Sequence, residues 1–104
     1  MAKYRIDVSK PAEDDLRDIV RYISSQLTAP MTAIKMLETI EKALEKLSDL
    51  PDRCPVVRDE RLTSMGYHRL NVKNYVVLFT VDKKTKVVDV ERILYSRRDW
   101  ANLL

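Results

Sequence analysis

Glycine occurs once in this chain, as Gly66, and that scarcity already excludes a class of function. A phosphate-cradling loop needs several glycines, because only they let backbone N–H groups close on a phosphate from unusual dihedral angles. Cysteine also occurs once, as Cys54, so no internal disulfide can form. With a single histidine, His68, a Cys/His zinc site is not available either. No apolar run approaches the roughly 18 residues of a membrane-spanning helix, and Met1-Ala2-Lys3-Tyr4 does not open like a secretory leader. The expectation from these absences is a cytoplasmic protein that uses no metal or other cofactor.

What is present describes one folded unit. At 104 residues the chain should form a single domain over 1–104, large enough to bury roughly two thirds of its unfolded surface. Hydrophobic residues at 45% beside 34% charged ones argue against disorder. The net charge of +3 is unevenly spread. Residues 1–50 hold 8 Lys and Arg against 9 Asp and Glu, and residues 51–104 hold 11 against 7. That basic bias suits an acidic peptide or a nucleic acid as partner and proves neither.

The most informative stretch is Gly66 to Leu94, which reads as a three-stranded meander. Tyr67–Val72, Tyr75–Val81 and Val87–Leu94 are rich in Val, Leu, Ile, Tyr and Phe, as pleated strands prefer. Lys73-Asn74 separates the first two, with Asn74 suited to the positive φ of a two-residue hairpin. The polar run Asp82–Lys86 separates the last two. If Val72 faces Tyr75 and Val81 faces Val88, period-two alternation divides the meander into two faces. One, carrying Leu70, Val72, Tyr75, Val77, Phe79, Val81, Val88, Val90 and Leu94, needs a core. The other carries Arg69, Asn71, Val76, Leu78, Thr80, Asp89, Glu91 and Ile93, is apolar only along its middle strand, and is where function is expected.

Upstream, Tyr4-Arg5-Ile6-Asp7-Val8 alternates as a half-buried strand with Tyr4, Ile6 and Val8 inward. Pro11 suits a first helical turn, and Leu16, Ile19, Val20, Ile23 and Leu27 make one apolar stripe over a helix of about 11–27. Thr28-Ala29-Pro30 breaks it, and Ala33, Met36, Leu37, Ile40, Ala43, Leu44 and Leu47 repeat the pattern to about Asp49. Two helices with a short link form an antiparallel hairpin. Residues 51–65 read as a loop with a short helical turn near Arg58–Leu62. The predicted architecture is α+β: a two-layer sandwich ordered β-α-α-β-β-β, with the helical hairpin on one face of a largely antiparallel four-stranded sheet.

No triad, carboxylate pair or metal-ligand spacing stands out. Antiparallel pairing places Lys73, Asn74 and Tyr75 beside the strand end occupied by Tyr95, Arg97 and Arg98. Two readings of that cluster stand: a surface that holds phosphates and stacks a base, or a solvated sheet end. Arg92 has core parity and must pair, with Asp14 or Asp15 of the first helix as partner. His68 reads as a structural histidine, Cys54 as an incidental loop residue, and Trp100 with Leu103 and Leu104 as a packed tail.

The run Tyr67-His-Arg-Leu-Asn-Val-Lys-Asn-Tyr-Val-Val-Leu-Phe-Thr-Val81 followed by Val90-Glu-Arg-Ile-Leu-Tyr-Ser-Arg-Arg-Asp-Trp100 resembles the RelE/ParE superfamily of bacterial toxins. The opening strand, the helix start Ala12-Glu13-Asp14-Asp15-Leu16 and the helix end Leu47-Ser-Asp-Leu-Pro51 are similar too, so the resemblance spans the chain. It implies a growth-inhibiting toxin of a type II toxin–antitoxin pair, of the kind associated with plasmid stabilization, with the same element order. It also implies a partly disordered cognate antitoxin as partner, covering the working surface in complexes that can form larger oligomers. Val76, Leu78 and Ile93 are the antitoxin-binding candidates.

Two activities occur in the superfamily. The ribosome-dependent mRNA endonucleases place an arginine directly after the tyrosine that opens the middle strand, where this chain has Val76. Their second basic residue is matched by Arg97, and Tyr95 is the nearest hydroxyl to serve as acid or base, so these two are the catalytic candidates on that reading. The ParE-like branch inhibits DNA gyrase by protein contact, needs no such set, and often ends in a similar Arg-Arg-Asp segment. The resemblance therefore favours a ParE-like toxin with Arg69, Lys73, Tyr95, Arg97, Arg98 and Trp100 as target-binding residues. An mRNA endonuclease and a non-toxic binding module are the alternatives.

Overall fold

The computed structural model describes residues 3–49, 55–56 and 59–96. Strand β1 (Arg5–Val8) leads into helix α1 (Lys10–Arg21), which continues as a π-helical turn, Tyr22–Gln26, before α2 (Pro30–Lys46) returns across it. A one-turn helix α3 (Glu60–Ser64) precedes β2 (His68–Val72), β3 (Tyr75–Asp82) and β4 (Val87–Tyr95). The predicted order is present, and the helical turn expected near Arg58–Leu62 lies slightly later as α3.

Local chemistry sets these boundaries. Ser9 caps α1 by accepting from the Ala12 N–H at 3.1 Å, and its hydroxyl donates to the Glu91 carbonyl at 2.8 Å, tying the helix start to β4. Pro11 occupies the first turn, where its missing N–H costs nothing. In the π-turn the Leu27 N–H reaches back five residues to Tyr22 O at 3.2 Å. Thr28 then adopts φ +47, and the chain re-enters a helix at Pro30. Asp59 caps α3 through the Leu62 N–H, and Gly66, at φ +84, releases the chain into β2.

The sheet order is β1-β4-β3-β2, with β1 parallel to β4 and the other pairs antiparallel. Val72 faces Tyr75 and Val81 faces Val88, as the sequence predicts. Within that hairpin the positive φ falls on Lys73, at +55, rather than on Asn74. A bulge then changes the register: Phe79 pairs with Val90 while Leu78 pairs with Arg92, so Glu91 is an extra residue.

The bulge overturns two face assignments. Ile93 joins the helix-side core with Ile19, Ile23, Ile40, Leu44, Val77, Phe79, Val88 and Val90. Leu94 moves to the opposite face, in a second cluster with Leu62, Tyr67, Val76 and Leu78. Strict alternation predicted the reverse for both, because one inserted residue inverts parity beyond it.

That second cluster fills the middle of the face where function is expected. Leu62 of α3 and Tyr67 pack with the middle strand, leaving Val76 2% and Leu78 0% exposed. The three residues expected to meet an antitoxin, Val76, Leu78 and Ile93, are thus all buried within this chain. Burial of these five apolar side chains gains about 25 cal/mol per Å² that an open sheet face would forgo.

Candidate functional site

A groove opens where α1 and its π-turn pass the Tyr75 end of the sheet. Its volume is about 580 Å³, and Asp15, Asp18, Tyr22, Leu27, Asn74, Tyr75 and Tyr95 are among the residues that line it. Tyr75 and Tyr95 face each other across β3 and β4, with ring centroids 5.9 Å apart in an edge-to-face arrangement. The Ser96 N–H donates to Asn74 O at 2.9 Å, which closes the end of the sheet. Burial raises the Tyr75 hydroxyl above its ordinary value, and the neighbouring Tyr95 and Tyr22 hydroxyls add to the rise. Tyr75 is therefore a neutral phenol at physiological pH.

The wall behind the groove is fixed by one carboxylate. Asp15 accepts from Arg92 Nε at 2.7 Å, from an Arg92 terminal nitrogen at 2.8 Å and from the Ile93 backbone N–H at 3.0 Å. Both side chains are largely buried, Asp15 12% and Arg92 24% exposed. The sequence expectation that Arg92 pairs with Asp14 or Asp15 resolves to Asp15, while Asp14 holds Lys10 and Arg17 on the solvent side of α1. The hydrogen bonds that Arg92 donates to Asp15 hold its guanidinium above its ordinary value. The pair fastens α1 to β4 directly after the bulge and so fixes where Ile93, Leu94 and Tyr95 project.

Of the residues named from sequence for target contact, Lys73 and Tyr95 come together at this end, and Tyr95 is 39% exposed. Arg69 does not join them. It lies on β2 opposite Leu78, and its Nε is buried with no hydrogen-bond partner among the described residues. Arg97, Arg98 and Trp100 lie outside the described residues, as does Cys54. His68 is half-buried, with its ring stacked on Phe79 at 5.4 Å, a packing contact. Among the described residues no group of His, Cys, Asp and Glu could hold a metal ion, and no helix is long and apolar enough to cross a membrane.

Sequence reasoning missed Tyr22, Leu27 and Asp18. Leu27 was placed on the inward stripe of the first helix, yet it is 55% exposed. The π-turn explains this, because each inserted residue rotates the following face by about 100°. Tyr22, 53% exposed, stood outside the apolar stripe, and an exposed tyrosine beside a helix break was the available signal. Met31 and Ile34, three residues apart on α2, are exposed apolar side chains as well. The groove can bind an apolar or aromatic segment. Its described residues offer no nucleophile activated by a neighbouring base.

Comparison with known proteins places these features. Residues 6–100 match the family described as the ParE toxin of the type II toxin-antitoxin system, parDE. A search of curated protein sequences finds no match. Among solved structures, the chromosomal ParDE toxin–antitoxin system of Pseudomonas aeruginosa is similar at TM-score 0.72 and 19% identity, over 88% of this chain and 95% of that one. The RelBE2 toxin–antitoxin complex of Mycobacterium tuberculosis follows at TM-score 0.64 and 21% identity, over 91% and 93%. A mutant of the Escherichia coli toxin RelE in the free state gives 0.66 and 15%, over 99% and 93%. At such identities the structures speak for a shared fold. The match over nearly the whole sequence says more: this chain belongs to the ParE toxin family of type II toxin–antitoxin systems.

Proposed function

We propose that this toxin arrests growth by binding DNA gyrase through protein contact, and that a cognate antitoxin neutralises it by covering the groove between the π-turn and the Tyr75–Tyr95 sheet end. The observation that carries the reading is the position after Tyr75. It holds Val76, which is buried in the second apolar cluster, where an RNA-cleaving relative needs a guanidinium. Cleaving RNA requires activating a 2′-hydroxyl and stabilising a charged phosphorane. The described surface at this end supplies phenols, Lys73 and an apolar rim instead. Exposed Tyr22, Leu27 and Tyr95 are what a protein interface uses as anchors.

Target contact extends from the groove to Lys73 and to the sequence-named Arg97, Arg98 and Trp100. The same apolar rim, with Met31 and Ile34, suits a segment that orders as it binds. The P. aeruginosa and M. tuberculosis relatives are themselves toxin–antitoxin systems, which supports an antitoxin partner here.

The test is inducible expression of the chain alone, together with a cognate antitoxin, and as the double variant Tyr22→Ala/Tyr95→Ala. Arrest is expected alone, relief with the antitoxin, and loss of arrest in the variant while its circular dichroism stays that of the parent. Unimpaired growth on expression alone would favour a non-toxic binding module.

A further inference from the structure

At the other end of the sheet, roughly 23 Å along β3 from Tyr75, three segments distant in sequence converge. The Tyr4 N–H donates to Ser48 O at 2.8 Å, setting the start of β1 against the turn that ends α2. The Arg5 N–H donates to Lys86 O at 2.8 Å, setting the same residues against the β3–β4 turn. Lys3, Lys42 and Lys46 line one shallow trough of about 650 Å³ with Ile6. Lys86 Nζ lies 5.0 Å from the centre of the Tyr4 ring, and exposed Lys83 and Lys84 share its turn.

We propose that this end of the molecule binds the phosphate backbone of duplex DNA. The charge is concentrated there. Six lysines stand here against four carboxylates, Glu45, Asp49, Asp82 and Glu38 one turn before Lys42, an excess of two positive charges. Two of those carboxylates are already engaged. Asp49 lies 3.9 Å from Lys3, and Asp82 accepts from the backbone N–H groups of Lys84 and Thr85 at 2.9 and 3.2 Å. Arg5 and Asp7 cancel each other in a two-point pair, each bond 3.0 Å. Lys42 and Lys46 stand one turn apart on α2, about 6 Å along the axis.

The same inventory selects the partner. Lysine ammonium groups serve phosphates as point charges, whereas the planar fork that fixes a base edge most rigidly is arginine's, and Arg5 is taken by Asp7. Binding single strands or RNA loops calls for aromatic faces on which bases stack. The aromatic ring described at this end, Tyr4, has a face occupied by Lys86. What remains is contact with the backbone of a duplex, without sequence preference. Neutralising three or four phosphates gives a log–log salt slope of about −3, a fall in affinity of roughly 20- to 50-fold between 50 and 150 mM salt.

Fluorescence anisotropy of a labelled mixed-sequence duplex of about 20 base pairs tests this with the purified full chain. Neither gyrase, ribosome nor antitoxin is present, so the result is independent of the toxin reading. Lys42→Glu/Lys46→Glu should lower affinity at 50 mM salt at least tenfold and flatten the salt slope, while Lys73→Glu at the far end leaves both unchanged. Should the charge-reversal variant fail to fold, Lys42→Gln/Lys46→Gln/Lys84→Gln is expected to show the same loss in milder form. Absence of duplex binding at 50 mM salt would overturn the proposal. So would binding that survives these variants, binding lost instead in Arg97→Gln/Arg98→Gln, or preference for a single strand or RNA hairpin.

Discussion

Replacing Asp15 by alanine removes three hydrogen bonds at once, two from the Arg92 guanidinium and one from the Ile93 N–H. Breaking a buried ion pair by deleting one partner costs about 3–5 kcal/mol, because a charge stays behind without its counterion. Arg92 here keeps a quarter of its side chain in contact with water, which lowers the expected loss to about 2–4 kcal/mol. At 4–8 °C per kcal/mol for a domain near this size, a loss of about 3 kcal/mol lowers the melting temperature by roughly 12–24 °C. Urea unfolding of the wild type, Asp15→Ala, Arg92→Met and the apolar double variant Asp15→Leu/Arg92→Met measures this directly. The double variant should lose less than Asp15→Ala, since no uncompensated charge remains. A loss below about 1 kcal/mol for Asp15→Ala, or single losses that simply sum in the double variant, would refute the claim that this pair fastens α1 to the bulged strand.

Glu91, the extra residue of the bulge, has its carboxyl raised above the ordinary 4.5 by burial and then by Asp89. A carboxyl raised on folding makes the native state bind the proton more tightly, so its contribution is complete below 4.5 and is lost as pH rises through the folded value. Urea midpoints should therefore show Glu91→Gln gaining on the wild type from pH 4 to pH 7. Equal pH profiles would contradict the burial. Leu62→Ala, at a fully buried position over Val76 and Leu78, should cost about 2–5 kcal/mol in the same assay. Thr28→Asn relieves a β-branched residue at φ +47 and should raise stability by about 1 kcal/mol, read as a melting temperature several degrees higher.

Much of this was legible in the sequence because it rests on local rules. Period-two runs joined by Lys73-Asn74 fixed the Val72–Tyr75 pairing, and the need of a charge within an apolar strand for a partner pointed to the Arg92–Asp15 pair, although the bulge sets Arg92 opposite Leu78 rather than on the core parity expected. The illegible parts are single-residue insertions. The π-turn after Arg21 turned Leu27 outward, and the extra Glu91 exchanged the faces of Ile93 and Leu94. Neither insertion carries a glycine or proline to announce it. α3 was anticipated as a helical turn, yet its role was not, because Leu62 covers Val76 and Leu78 only once the chain has folded back over them. The groove depends on both insertions, so its helical wall of Tyr22, Leu27 and Asp18 could not be assembled from alternation alone. The convergence of Lys3, Lys42, Lys46 and Lys86 rests on two backbone hydrogen bonds between segments more than 40 residues apart.

Supercoiling of relaxed plasmid by purified gyrase, with this toxin added in the presence and absence of its antitoxin, tests the central claim most directly. The account predicts inhibition that the antitoxin reverses and that Tyr22→Ala/Tyr95→Ala abolishes. Undisturbed supercoiling by protein that still arrests growth would contradict it and move the target to the translating ribosome, with Arg97 and Tyr95 the first residues to replace.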